Sequence, residues 1–268
     1  AGDLSISGTN SITAEKNYPA LLVDGDLTIR AGARLSITGL AVVRGQVLVS
    51  SDNGTLDVTG ALFTDQTIRE TVVDSSGAGR DGIIYGTAAW NPAGGRTGGA
   101  LEFDGTDDTV QEPRADAYIN GLEAITVSLW VKSDVTFEDR GIMFTRDPTG
   151  GDTELGIRYD KYGAYGGGIR GIKASIRASS GFTQIESTSN VQTTDWQHLA
   201  LVWQSGQSLK LYIDGQLNPL TFDMGAVWGT VYRVDKIILG RGTKGRYWDG
   251  MIDDFRIYNR ALDPNDIY

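Results

Sequence analysis

The chain has 268 residues, 40% of them apolar and 22% charged, which suits one large domain or a medium domain with a smaller companion. Its formal net charge of −10 argues against binding a phosphate backbone or adhering to anionic lipid, since both need clustered Lys and Arg. Without cysteine it has no disulfide and no thiolate metal site, and its 36 glycines against 6 prolines, lacking a collagen period, point to short strands joined by tight turns.

Residues 1–66 carry an internal repeat. Leu35-Ser-Ile-Thr-Gly39 matches Leu56-Asp-Val-Thr-Gly60, and Gly25-Asp-Leu-Thr-Ile29 matches Gly45-Gln-Val-Leu-Val49. Leu4-Ser-Ile-Ser-Gly8 reads as a weaker copy of the first unit. Alternation within each copy puts aliphatic residues on one face, and a period of about 20 residues signals a β-solenoid whose coils stack their inward side chains. So short a solenoid is expected to be capped by a second domain or by further chain. Ala1 opens no signal-like apolar run and no stretch is long enough for a membrane helix, so direct membrane insertion is not expected. The chain reads as a mature or trimmed form.

The pattern changes near residue 66, which places a second domain at 67–268. Its strands alternate in the manner of a sandwich. Thr126–Lys132 puts Val127, Leu129 and Val131 on one side; His198–Trp203 does the same with Leu199, Leu201 and Trp203. Ser208–Ile213 is followed by Asp214-Gly215, a tight hairpin turn. Lys236–Gly240 and Gly250–Tyr258 complete the set, and a single helical turn is expected after Pro264. The fold class is therefore all-β, an antiparallel sandwich preceded by a small solenoid.

Several segments of this second domain carry, in order, the marks of one family. Asp74–Gly82 is a Gly-rich opening loop; Gly98-Gly-Ala-Leu-Glu-Phe-Asp-Gly105 is a strand and turn; Thr126-Val-Ser-Leu-Trp-Val131 is a central strand. Trp196–Val202 with Leu211–Gly215 forms a hairpin, and Gly250–Leu262 a closing strand. Together they resemble the LamG-like jelly-roll domains of the concanavalin A type. The resemblance implies that the first and last strands lie side by side and that calcium often sits near them. Less specifically, the N-terminal quarter resembles the solenoid segments of some bacterial surface and pilus-associated proteins.

Regular alternation of the closing strand would set Asp253 among Met251, Phe255 and Ile257, where an ionised carboxylate needs a partner. The turn after Phe103 would supply Asp104 and Asp107, with Asp108 beside them, and Asp74 would add oxygen from its loop. Such a set suits calcium in a structural role. The competing reading is that Asp253 only accepts backbone N–H groups of the Asp104-Gly105 turn. Glu102, Asp104 and Asp107 superficially resemble the carboxylate strand of laminarinase-type glucanases, but a Gly-Thr turn interrupts them and the three are not expected to project together. The single histidine, His198, disfavours a His-based triad and is expected to be a partly exposed structural residue. Gly166–Gly168 and Gly240–Gly245 open no helix, so neither is a phosphate loop.

Aromatic platforms for a ligand are sought at Tyr162, Tyr165, Trp228, Tyr232, Tyr247 and Trp248, with Tyr159 nearby. Trp130 and Trp203 are expected in the core; Trp90 suits either place. The function expected is a non-catalytic, calcium-stabilised module of a secreted or cell-surface bacterial protein. Its partner would be an extracellular glycan or surface protein, with no nucleic acid. The alternatives are a filament or envelope subunit assembling through its solenoid end, and a glycoside hydrolase.

Overall fold

The computed structural model describes residues 2–15, 18–64, 68–146, 152–163 and 170–267, with backbone only at 152–154. The chain divides into two compact units, Ala1–Tyr85 and Gly86–Tyr268.

In the first unit β1 (Leu4–Ile6), β2 (Thr9–Thr13), β3 (Leu21–Val23), β4 (Leu27–Ile29) and β5 (Arg34–Val43) are followed by β6 (Val47–Ser50), β7 (Thr55–Thr64), β8 (Ile68–Val72) and β9 (Gly82–Tyr85). They wind about three turns of a solenoid. One parallel sheet runs β1-β4-β6-β8; in the other, β5 pairs with β2 and β3 on one side and with β7 on the other. The repeat is the stacking register: Leu35 lies beside Leu56, Ile37 beside Val58 and Leu27 beside Val47. Leu27, Ile29, Leu35, Ile37, Val43 and Val47 are fully enclosed between the sheets.

Gly39 and Gly60 stack in left-handed conformations, and a Cβ on Gly60 would lie 2.2 Å from the Gly39 carbonyl oxygen. Only glycine lets these coils approach so closely. At another corner, the Asp3 carboxylate accepts the Asp26 N–H at 2.9 Å and the Asp26 carboxylate accepts the Gln46 N–H at 2.7 Å.

Two expectations are corrected here. Leu4–Ile6 pairs with Leu27–Ile29, not with the Leu35 strand; a Leu-polar-Ile triplet fits either sheet, and the neighbouring coil decided. The solenoid also passes residue 66, because Ile68–Thr71 pairs in register with Val47–Ser50. Arg69 and Glu70 concealed this copy among polar residues.

The second unit begins with β10 (Ala89–Asn91), β11 (Ala100–Asp104), β12 (Thr109–Glu112), α1 (Asp116–Ile119), β13 (Ala124–Ser133), β14 (Arg140–Arg146) and β15 (Asp152–Asp160). It continues with β16 (Gly171–Ala178), β17 (Gly181–Ser187), β18 (Gln197–Gln204), β19 (Lys210–Ile213), β20 (Gln216–Leu217), β21 (Leu220–Asp223), β22 (Lys236–Leu239) and β23 (Asp249–Tyr258). One sheet has the order β10-β11-β23-β13-β18-β19-β20 and the facing strands run β12-β22-β14-β15-β16-β17-β21. Between them lie Val127, Leu129, Val131, Leu199, Leu201 and Trp203 from the first sheet, with Ile157, Tyr159, Ile172, Ala174 and Ile185 from the second, all nearly inaccessible. Asp214 and Gly215 both take positive φ, giving the hairpin turn expected between β19 and β20. Pro264–Asp266 forms the expected short turn.

Candidate functional site

The closing strand does not alternate regularly. Its pairing with β13 slips between Ser128 and Trp130, and Asp254 takes a φ of 48°. This is a β-bulge, which turns side chains to the other face at the extra residue. Ile252 faces the core at 2% exposure, so Asp253 next to it points outward beside Trp130. Its Oδ2 accepts the backbone N–H groups of Arg96 at 2.8 Å and Thr97 at 3.1 Å. The apolar setting expected for Asp253 is therefore corrected: it anchors the glycine-rich 94–99 loop. The competing reading holds with a different turn supplying the donors.

β11 and β23 do lie side by side, but their register sets Asp104 opposite Asp249 and Leu101 opposite Ile252. Asp253 is thus four residues along β23 from the Asp104 turn, about 13 Å at the rise of a strand. Asp74 belongs to the first unit, where its carboxylate accepts the N–H groups of Ser76 and Arg80. Burial pushes its carboxyl up, but those bonds and the Arg80 charge outweigh it and hold the group below the usual range.

Asp104, Asp107 and Asp108 converge, with one ligand atom of each within 4.8 Å of the others. Asp108 is buried and already engaged: one oxygen accepts the N–H and hydroxyl of Thr87, the other the Asp104 N–H. Gly86 is required there, since a Cβ would meet the Asp108 carboxylate at 2.4 Å. Asp104 Oδ1 accepts the Thr106 N–H, and Arg140 donates to the Gly105 carbonyl at 3.2 Å. The donor chemistry fits a hard cation. Among the described residues, the second Asp104 oxygen and Asp107 have no partner, a set short of the roughly six to eight oxygens calcium takes.

Glu102 and Asp104 share the exposed face of β11, while Asp107, the third carboxylate of the glucanase likeness, lies beyond the end of that strand. His198 is also corrected: it is 5% exposed, packed beside Trp130 with ring centroids 5.3 Å apart, its Nε2 2.9 Å from Ser128 Oγ. Burial drives its imidazole below the usual range against the pull of Asp214 and Asp254. The Asp214 carboxylate receives the His198 backbone N–H. Trp130, expected in the core, stands half-buried on the outer face with the Arg96 guanidinium 5.0 Å above its ring.

The aromatics divide. Trp248 is 0% exposed and meets Tyr159 edge-on at 5.1 Å, so both are core residues and not a platform. Burial pushes the Tyr159 phenol up to about 12. Tyr247 is half-buried under Arg241. Trp228, Tyr162 and Tyr232 are 60%, 54% and 51% exposed, and Trp90 is exposed as well. Tyr165 and Gly166–Gly168 lie outside the described residues.

Trp228 is held by its N–H to Ser180 Oγ at 2.7 Å and lies against Gly206. Beside that turn opens a cleft of about 450 Å3 between β19–β20 and β21, lined by Leu209, Leu211, Leu217, Pro219, Leu220 and Lys210. It sits where each sheet ends, between the edge strands β20 and β21, with Leu209 and Leu211 buried at its floor. Sequence reasoning missed it, because residues from both sheets form it.

Residues 104–268 match the family described as the concanavalin A-like lectin/glucanases superfamily. The chain belongs to this superfamily. The human adhesion G-protein coupled receptor D1 is 28% identical over 119 residues, 39% of this chain; the match spans only 13% of the receptor. Domain 4 of AbnA, an extracellular arabinanase of Geobacillus stearothermophilus solved with arabinotriose, is 23% identical, with a TM-score of 0.51 over 72% of this chain and 89% of its own. The binding domain of botulinum neurotoxin DC, solved with rat synaptotagmin II, is 14% identical, with a TM-score of 0.54 over 72% of this chain and 47% of its own. At these identities the solved neighbours share the fold of this superfamily member.

Proposed function

We propose that the chain is a non-catalytic recognition module of a secreted or cell-surface protein, taking an extracellular glycan or a surface protein at the Trp228 end of its sandwich. The observation that carries this is an indole 60% exposed on a backbone-anchored turn, next to a largely apolar cleft in a rigid scaffold. Solved neighbours bound to arabinotriose and to synaptotagmin support a binding role. The carboxylates support it by what occupies them: Asp160 and Glu186 share Lys173, and Asp108 is spent on N–H and hydroxyl donors. A glycan array and a pull-down against surface proteins, each run with wild type and Trp228→Ala, test the reading. Binding lost in the variant supports it. Absence of any ligand, or turnover of a β-glucan abolished by Glu102→Gln, would replace it.

Calcium enters as a proposal narrowed to Asp104 and Asp107, pinning their turn. A second reading, a subunit of a filament or envelope assembly such as a pilus, is favoured by β7. Among the described residues this ten-residue strand pairs on one side only, with Phe63 62% exposed upon it. Open edges of this kind template pairing with another chain. Sedimentation of the purified protein tests it, because a strictly monomeric species at high concentration removes the assembly.

A further inference from the structure

On three neighbouring strands a lysine stands between two carboxylates. Tyr159, Ile172 and Ile185 point into the core, so alternation sends Asp160 of β15, Lys173 of β16 and Glu186 of β17 to the opposite face. Glu186 is directly across from Lys173, and Asp160 is on its diagonal. Lys173 Nζ lies 2.6 Å from Asp160 Oδ2 and 2.7 Å from Glu186 Oε1, with side-chain exposures of 12%, 3% and 3%. Ion pairs so deprived of water are a poor source of stability.

We propose that Lys173 and Asp160 condense to a side-chain amide, with Glu186 carrying the protons. Glu186 takes a proton from the ammonium, and the freed amine lone pair forms an N–C bond with Asp160 Cγ. Negative charge gathers on Asp160 Oδ1, which already accepts the N–H groups of Tyr162 at 3.1 Å and Gly163 at 3.4 Å, as an oxyanion hole would. The nitrogen gives up its second proton by way of Glu186. The Cγ–Oδ2 bond then breaks, and Oδ2 leaves as water with both protons. Glu186 ends as it began, and no oxidant or other reactant is consumed.

The surroundings accept the product. The step removes one positive and one negative charge together, so the net charge of the group is unchanged. Arg158, 3.4 Å from Asp160, is also 3.7 Å from Asp139 and keeps a counterion. In water an amine and a carboxylate do not condense spontaneously, but groups held in contact reach effective molarities of about 10⁵–10⁸ M. Lys173 and Arg158 outweigh burial and keep the Asp160 carboxyl below its usual range. The ion pair is therefore the starting state, and the bond forms as a slow maturation of the folded chain.

The test is the mass of the intact, denatured chain after prolonged incubation in its folded state. Wild type is expected to weigh less than its sequence by one water. A tryptic digest should show no cleavage after Lys173 and a branched peptide joining residues 159–161 to 171–177. Lys173→Arg, folded by circular dichroism, should keep its full mass, as should Glu186→Gln. Asp160→Asn should still cross-link, losing ammonia in place of water. A folded wild type of full mass, cleaved normally after Lys173, overturns the proposal, and so does the same mass loss in Lys173→Arg. Cross-linking of Glu186→Gln at the wild-type rate overturns the proton-carrying role.

Discussion

The Asp253 carboxylate accepts the Arg96 N–H at 2.8 Å across 157 residues of chain. That bond, with its companion to Thr97, ties the glycine-rich loop to the closing strand, while Arg96 lays its guanidinium over Trp130. Asp253→Ala should lower stability by about 1–2 kcal/mol, toward the smaller end because water can reach the freed donors. Urea midpoints measure this, and the loss should be the same with and without calcium.

The solenoid depends on the Gly39–Gly60 stack. Gly60→Ala forces a Cβ against the Gly39 carbonyl in a left-handed backbone and should destabilise the first unit by about 3 kcal/mol or more. Gly32 also has positive φ, but nothing lies within 4 Å of its Cβ position, so Gly32→Ala should cost only about 1 kcal/mol. Thermal melts of the two variants should separate them clearly.

Two tryptophans twenty residues apart in sequence should behave oppositely. Trp248→Ala empties a fully buried site and should cost about 3–5 kcal/mol. Trp228→Ala should change stability by no more than about 0.5 kcal/mol and should act on ligand binding. Denaturation paired with a binding assay checks both.

His198 makes stability depend on pH. Its folded pKa lies below the unfolded value of about 6.5, so the unfolded chain binds the proton first. Its contribution is therefore flat above about pH 6.5 and becomes destabilising as pH falls from there toward the folded pKa. Urea midpoints measured across that window should fall for wild type and fall less for His198→Gln.

Calcium held by Asp104 and Asp107 should raise the Tm over that in EGTA, by linkage of binding to folding. Asp107→Asn should abolish the rise and Asp253→Asn should leave it. An equal Tm with and without EGTA would remove calcium from the account.

Much of the fold was legible in the chain. The repeat at Leu35 and Leu56 became the stacking register, and Asp214-Gly215 became the hairpin turn, because alternation and turn chemistry act between near neighbours. Motif order likewise pointed to the superfamily that residues 104–268 match. The site was less legible. A bulge at Asp254 reversed the face assigned to Asp253, and one inserted residue leaves no mark in a pattern of apolar and polar letters. Trp228 and Trp248 look alike in sequence; only packing against Tyr159 made one of them core.

By itself, the order of residues determined the strands that alternate plainly, such as Thr126–Lys132 and His198–Trp203, their apolar face and which coils repeat, since these follow from backbone geometry and local side-chain spacing. The tertiary structure alone decided which carboxylates meet, which are spent on N–H groups, and that Lys173 stands between Asp160 and Glu186. Those outcomes depend on registers between strands brought together from along the chain, and a shift of one residue would have reversed them.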